Sequence, residues 1–449
     1  SNIMPIYYAD YPIFGLCCTR DSIILSGGGG GKDYGIEDQI ELYELKDCEV
    51  ECQKLNANDK ISAESSLMLK YIYNTTKQNG VLDSMCFNNK LNLVAGGIRD
   101  CCILFYIEEE KQGKSIRMYL QFQTVWDGNK KGKQNVCRFS KNGEFLITGG
   151  TDNIVRVWKL NIDSENPREI IPLEMKELHG HENEILDLDI SPDNKFIIST
   201  NRNGTIIVHE YNSGDIFKKF TIPMKNGNYL VRQCRFIENG RLNSPRRQKN
   251  NDRQQYIVSM LLHEIRGSSF MTVWNMKISK ENSNENPNNR ILFAQIASNL
   301  ICDKPSSVLV VSDDYKLLAV GTNTGLIKIF KNNLTELTLL KEGIFHELPV
   351  TGLQFFNSNE YIISAGADYS ISVLEIKSRK NSAKSNNKQM NIAKSNQNGG
   401  MFGFGLNIIK YTLLTIFIIM FITTFINYSI EIGVNIQSSI RDGDQSTEL

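Results

Sequence analysis

One hydrophobic pattern recurs seven times before residue 377. An apolar strand is followed by a turn rich in Gly, Asn or Asp, and then by a second strand whose positions alternate between apolar and polar. The instances are Ser22–Leu45, Asn92–Ile107, Glu144–Leu160, Lys195–Tyr211, Gln255–Met276, Lys316–Asn332 and Glu360–Ile376. Period-two alternation of Ile, Val, Leu and Phe marks strands packed on at least one face. A single hairpin of this kind leaves apolar surface exposed, whereas a closed ring of them buries it.

The units begin roughly 45 to 70 residues apart, the period of WD-type blades with loop insertions. The sequence therefore predicts an all-β fold, a seven-bladed WD-type β-propeller over residues 4–376. Met4–Tyr8 is expected to close the ring as a strand beside the last blade. Gly180-His181, the turn Ser191-Pro192-Asp193, and Trp158 and Trp274 at strand ends fit the same reading. Thr148, Asp152 and Trp158 in the third unit, His181 before the fourth, and His346 with Ser364 and Asp368 around the seventh are expected to hold turns together by hydrogen bonds.

Beyond the repeats, residues 377–405 read as a basic, Asn-rich linker. From Tyr411 to Ile426 there is no charge, and with its flanks the stretch 406–430 is long enough for one transmembrane helix. The basic linker before it and the acidic stretch 431–449 after it predict a cytosolic propeller and a lumenal tail. No basic segment leads an apolar run at the start, so no signal peptide is expected.

Composition narrows the functional classes. Lys+Arg and Asp+Glu stand at 50 each, so no global field draws nucleic acid, and none is expected as a partner. The 10 cysteines are scattered without any CxxC pair, which fits thiols in a reducing compartment rather than a disulfide or zinc framework. No nucleophile is paired with a base, so bond-breaking catalysis is not expected.

The most unusual segment is the run Gly27–Gly31 with Lys32, Asp33, Tyr34, Gly35, Ile36, Glu37 and Asp38 after it. A phosphate-binding loop needs Gly, four residues, then Gly-Lys-Ser/Thr. Here Ser26 takes the first position and Asp33 the last. The GxGxxG dinucleotide pattern fails as well, and Gln39–Leu45 alternates as a strand where a helix is required. What remains is a loop whose glycines allow positive φ and close backbone approach, either as a plain turn or as a functional loop.

The stretch Tyr11-Pro12-Ile13-Phe14-Gly15, the glycine run, and Gly35-Ile36-Glu37-Asp38 before a strand resemble the prolactin regulatory element-binding protein family. Its members are the endoplasmic-reticulum guanine-nucleotide exchange factors that start COP-II coat assembly. The resemblance covers about Tyr11–Leu45 and, beyond it, the order of propeller and membrane helix. It implies exchange activity on a Sar-type small GTPase at the endoplasmic-reticulum membrane, in a single-pass topology. It also implies GTPase contacts from Lys32, Asp33, Tyr34, Gly35, Ile36, Glu37 and Asp38, and a potassium ion on backbone oxygens of Gly29, Gly30, Gly31 and Gly35. Asp38 stands where that family commonly has Asn. The alternative expectation is a membrane-anchored WD-repeat scaffold without exchange activity.

Overall fold

The computed structural model describes residues 6–29, 36–45, 67–75, 80–111, 113–128, 132–162, 170–224, 227–237, 255–264, 267–278, 291–333 and 336–376. The chain divides after Lys377. The predicted linker, membrane helix and tail lie outside the described residues. Among the described residues no helix is long and apolar enough to cross a membrane.

Seven four-stranded antiparallel sheets form the blades of a propeller. Blade 1 runs Ile13–Cys18, Ile23–Gly27, Gln39–Leu45 and Leu67–Asn74. Blade 2 runs Ser84–Asn88, Leu93–Ile98, Cys101–Glu110 and Gly113–Gln123, and blade 3 Gln134–Phe139, Phe145–Gly150, Val155–Ile162 and Ile170–Leu178. Blade 4 is Ile185–Ile190, Phe196–Asn201, Ile206–Glu210 and Ile216–Phe220; blade 5 is Leu230–Ile237, Gln255–His263, Ser269–Ile278 and Ile291–Cys302. Blade 6 comprises Ser306–Val311, Leu317–Thr322, Leu326–Asn332 and Leu337–Ile344. Blade 7 has Val350–Phe356, Tyr361–Gly366 and Ser370–Glu375 from its own repeat, and its outer strand comes from Ile6–Tyr8.

That last pairing closes the ring, with Ile6 opposite Ser372, Tyr7 opposite Ile371 and Tyr8 opposite Ser370. The first strand of each sheet touches the first strands of its two neighbours, so these seven inner strands surround a central channel. The apolar core is divided accordingly. Seven clusters lie one at each blade-to-blade interface, from Ile24, Leu42, Leu82 and Phe105 between blades 1 and 2 to Ile13, Leu25, Ile363 and Val373 between blades 7 and 1.

The second strands explain why the hairpins stand out in the sequence. Ile23–Gly27, Leu93–Ile98, Phe145–Gly150 and Phe196–Asn201 are buried at every position, because each faces a neighbouring blade on both sides. Antiparallel order also sorts the connections. The turns between second and third strands, and the links from outer strand to next inner strand, emerge on one face, here the upper face. The remaining turns emerge on the opposite, lower face.

Two adjacent tyrosines of the closing strand test its role. Tyr7 packs on the cluster between blades 7 and 1, and its hydroxyl accepts the Leu67 N–H at 2.9 Å. Tyr8 is 70% exposed. Tyr7→Ala is expected to cost about 1–3 kcal/mol in urea denaturation, and Tyr8→Ala within about 0.5 kcal/mol.

Candidate functional site: the channel mouth and the upper face

Inner strands begin at the upper face, and six of the seven carry a β-bulge at the same place. The register slips at Phe14, Asn135, Leu186, Arg232, Ser307 and Thr351; only blade 2 pairs without a slip. A bulge leaves one residue out of the ladder and re-aims its side chain. All six bulged residues, with Asp83 and Ser84 of blade 2, line one cavity of about 380 Å³ at the channel.

Bulged side chains also clamp blade to blade. Asn135 Nδ2 donates to the Ile185 carbonyl at 2.9 Å, Arg232 Nε to Ser307 at 3.2 Å, and Ser307 Oγ to Val350 at 2.6 Å. Next to the bulges, Asp187 Oδ2 accepts the Cys234 N–H at 2.9 Å and Asp189 Oδ2 the Phe236 N–H at 2.7 Å. Gln233 Oε1 accepts the Leu309 N–H. These side chains satisfy strand edges that no further strand can pair.

Charge is concentrated in the same wall. Asp187 meets Arg138 at 3.5 Å and also touches Arg235. Asp83 pairs with Lys133 at 2.5 Å. Burial, opposed by Arg138, pushes the Asp189 carboxyl up to about 6, because removing an ion from water disfavours its charged form.

The upper-face turns are held by polar contacts from the residues singled out in the sequence. Trp158 Nε1 donates to Thr148 Oγ1 at 3.0 Å. Asp152 accepts the Trp126 N–H at 3.1 Å and pairs with buried Arg156 at 2.5 Å. His181 Nε2 lies 2.8 Å from Ser199 Oγ, and burial holds its imidazole down at about 3, so it is neutral. His346 bridges Ser364 Oγ at 2.8 Å and Ser370 Oγ at 2.5 Å, with Asp368 Oδ1 3.5 Å away. Ser364, His346 and Asp368 have the residue types of a hydrolytic triad, but Ser364 has no exposed surface. A substrate carbonyl cannot reach it, and the set acts as a brace.

The glycine run contributes packing where it is described. A Cβ on Gly27 would overlap the Tyr11 ring and the Pro12 carbonyl, and one on Gly28 would strike Asp38. A Cβ on Gly29 would lie 2.8 Å from Ile36 Cβ. Ile36 packs on the cluster between blades 7 and 1. Glu37 is exposed and accepts a hydrogen bond from Asn74, while Asp38 is buried with its carbonyl on the Thr75 N–H at 2.8 Å. Gly30, Gly31, Lys32, Asp33, Tyr34 and Gly35 lie outside the described residues. Three of the four potassium donors implied by the resemblance are therefore among them.

What sequence reading missed is the upper face itself. Leu348 in the link from blade 6 to blade 7 is 49% exposed, Trp126 in the link from blade 2 to blade 3 46%, Phe14 45% and Tyr369 42%. Tyr369 has φ +67°. The matching turn positions in blades 3, 4 and 6 are Asn153, Gly204 and Gly325, residues suited to the left-handed region, which a bulky aromatic rarely adopts; the shorter turn of blade 2 places Arg99 there. Trp126 is fixed from beneath by the Arg156 guanidinium, 4.5 Å from its ring centre. None of the large exposed apolar side chains lies in the described inner-to-second-strand turns of the lower face.

Comparison with known proteins places the repeats. The family described as "WD domain, G-beta repeat" matches residues 120–159 and 173–210, each an outer strand followed by the first three strands of the next blade. One of the subunits of chromatin assembly factor 1 from Mus musculus is 27% identical over 151 residues, covering 31% of this chain and 25% of that protein. Protein hir-1 of Neurospora crassa is 36% identical over 100 residues, covering 20% of this chain and 9% of that one. The chain thus spans a quarter or less of the length of these relatives. The crystal structure of Sqt1 from Chaetomium thermophilum superposes with a TM-score of 0.52 at 11% identity, over 84% of this chain and 99% of that one, a likeness of fold.

These findings correct the resemblance drawn from Tyr11–Leu45. The relatives are a chromatin assembly factor 1 subunit, from Mus musculus and Gallus gallus, and protein hir-1, not exchange factors of the prolactin regulatory element-binding protein family. They overturn the exchange activity, the Sar-type GTPase partner and the endoplasmic-reticulum location that rested on that resemblance. The membrane as partner rested on 406–430, outside the described residues, and no described helix supports it. A physical reason is visible in blade 1. Tyr11 and Ile13 are buried, and Gly27–Gly29 are small because Tyr11, Pro12, Asp38 and Ile36 press on them, so packing accounts for these three glycines.

Asp189 gives a pH test. Its pKa is higher folded than unfolded, so the folded state binds the extra proton between about pH 4 and 6. Its favourable contribution is complete below about pH 4 and is lost as pH rises through 6. Asp189→Asn keeps an acceptor for Phe236 and removes the charge. Relative to wild type, it is expected to gain about 2 kcal/mol between pH 4.5 and pH 8 in chemical denaturation.

Proposed function

We propose that this chain is a non-enzymatic WD-repeat scaffold that holds a protein partner on its upper face, as a component of a chromatin-assembly complex. The observation that carries the docking face is Tyr369. An exposed aromatic occupies a turn position where blades 3, 4 and 6 use Asn or Gly, and backbone strain of this kind collects at functional surfaces; the other tyrosine at positive φ, Tyr315 on the lower face, is half-buried beneath Lys141. Leu348 lies close by in the fold, since the Glu347 N–H bonds Asp368 at 2.7 Å. Tyr8 adjoins through the Ala9 N–H on the Tyr369 carbonyl at 2.9 Å. Across the channel Trp126 adds a second rigid aromatic, and such residues dominate binding energy at protein interfaces.

The choice of complex is supported by the names of the relatives, and the absence of chemistry by the sealed Ser364–His346–Asp368 brace. Exposed Tyr and Leu on a stable frame fit binding by surface complementarity, with the propeller supplying rigidity.

The test uses the full tagged chain purified from its own cells, with co-purifying proteins quantified by mass spectrometry. Wild type is expected to enrich chromatin-assembly proteins, and Tyr369→Gly with Leu348→Ser to lower that recovery about tenfold. The glycine alone should leave stability unchanged or raise it by about 1 kcal/mol, because it relieves left-handed strain. Equal recovery by the double variant, or no such enrichment by wild type, contradicts the proposal.

A further inference from the structure

We infer that the channel mouth binds an acidic side chain presented by an extended segment of the protein partner, an inference that rests on the docking face proposed above and names the chemistry it reads. The cavity is lined by three guanidiniums, Arg138, Arg232 and Arg235, and two carboxylates, Asp83 and Asp187, with Asp189 behind them opposed to Arg138. The carboxylates are already answered. Asp187 takes Arg138 and Arg235, and Asp83 takes Lys133. Arg232 is the cation left over, and no carboxylate among the described residues pairs with it.

Its position suits capture. Arg232 is the bulged residue of blade 5, exposed at the mouth, and its Nε is spent on the Ser307 carbonyl at 3.2 Å. That bond fixes the plane of the guanidinium while its terminal N–H groups remain to meet a ligand. A planar fork held this way suits a carboxylate, which it can meet with two parallel hydrogen bonds. Deeper in the wall, Arg138 Nε is buried and makes no protein hydrogen bond, which leaves a second donor facing the same space.

Size and surroundings select the ligand's form. A space of about 380 Å³ takes a side chain or two and excludes a folded element. Phe14 and Leu186 are bulged residues on the same ring, so an apolar side chain next to the acid finds a surface there. Phe14 belongs to the exposed apolar set of the upper face, which makes the mouth continuous with the docking face. An acidic residue flanked by apolar ones, on an extended strand crossing the mouth, satisfies both.

The test measures fluorescence polarisation with the full chain and a short fluorescein-labelled peptide alternating glutamate and leucine. Its counterpart with glutamine in place of glutamate is the control, and inorganic phosphate is the competitor. Binding of the glutamate peptide is expected, weakened about tenfold by Arg232→Ala, less by Arg232→Lys, and unaffected by Arg117→Ala on the outer strand of blade 2. The glutamine peptide should bind at least about tenfold more weakly, and phosphate should compete poorly. Equal binding of the two peptides, equal loss in Arg117→Ala, displacement by phosphate at matching concentration, or no binding of either peptide overturns the inference. None of these touches the docking face, which the Tyr369 and Leu348 variants test with the whole partner.

Discussion

A four-stranded blade has two apolar faces and can bury neither by itself, and every other feature of this protein follows from that constraint. Burial at about 25 cal/mol per Å² is available only at contacts between blades, so the core is seven interfaces arranged in a circle. A circle has no stable open form here, because the first and last blades would each expose a full face. The short strand Ile6–Tyr8 completes blade 7 from the other end of the repeat series, and with it the contact that Tyr11, Ile13 and Leu25 make with Ile363 and Val373.

Closure creates a second constraint at the centre. Inner strands have no strand partner on the channel side, yet their N–H and C=O groups require one. The bulges answer this by turning side chains sideways, so that Asn135, Arg232 and Ser307 reach the neighbouring strand. Asp187 and Asp189 do the same from the next positions along. The polar channel wall is therefore a structural necessity first. Its capacity to read a ligand arises because the bulges hold guanidiniums and apolar groups at one opening.

Legibility in the sequence followed burial. All seven central hairpins were visible, because strands such as Phe145–Gly150 are buried on both faces and read as uninterrupted apolar runs. Inner strands were hidden by polar residues that bond the neighbouring inner strand, as Asp187 and Asp189 do in Ile185–Ile190. Outer strands were hidden by exposure, as in Leu337–Ile344, where only Leu337 is buried. Bulges have no composition of their own, so the mouth was not foreseeable. The glycine run misled for a plain reason. Glycine serves ligand approach and tight packing alike, and only the positions of Tyr11, Pro12, Asp38 and Ile36 tell the two apart at Gly27–Gly29.

The claim that the upper face is where a protein partner sits is tested most directly by hydrogen–deuterium exchange of the full chain, alone and in the complex isolated from its own cells. Exchange is expected to slow in the partner-bound state at residues 345–349, 366–370 and 124–128, with the lower-face turns 19–22, 191–195 and 312–316 unchanged. Protection confined to the lower-face turns, with residues 345–349 and 366–370 exchanging as in the free chain, would contradict it.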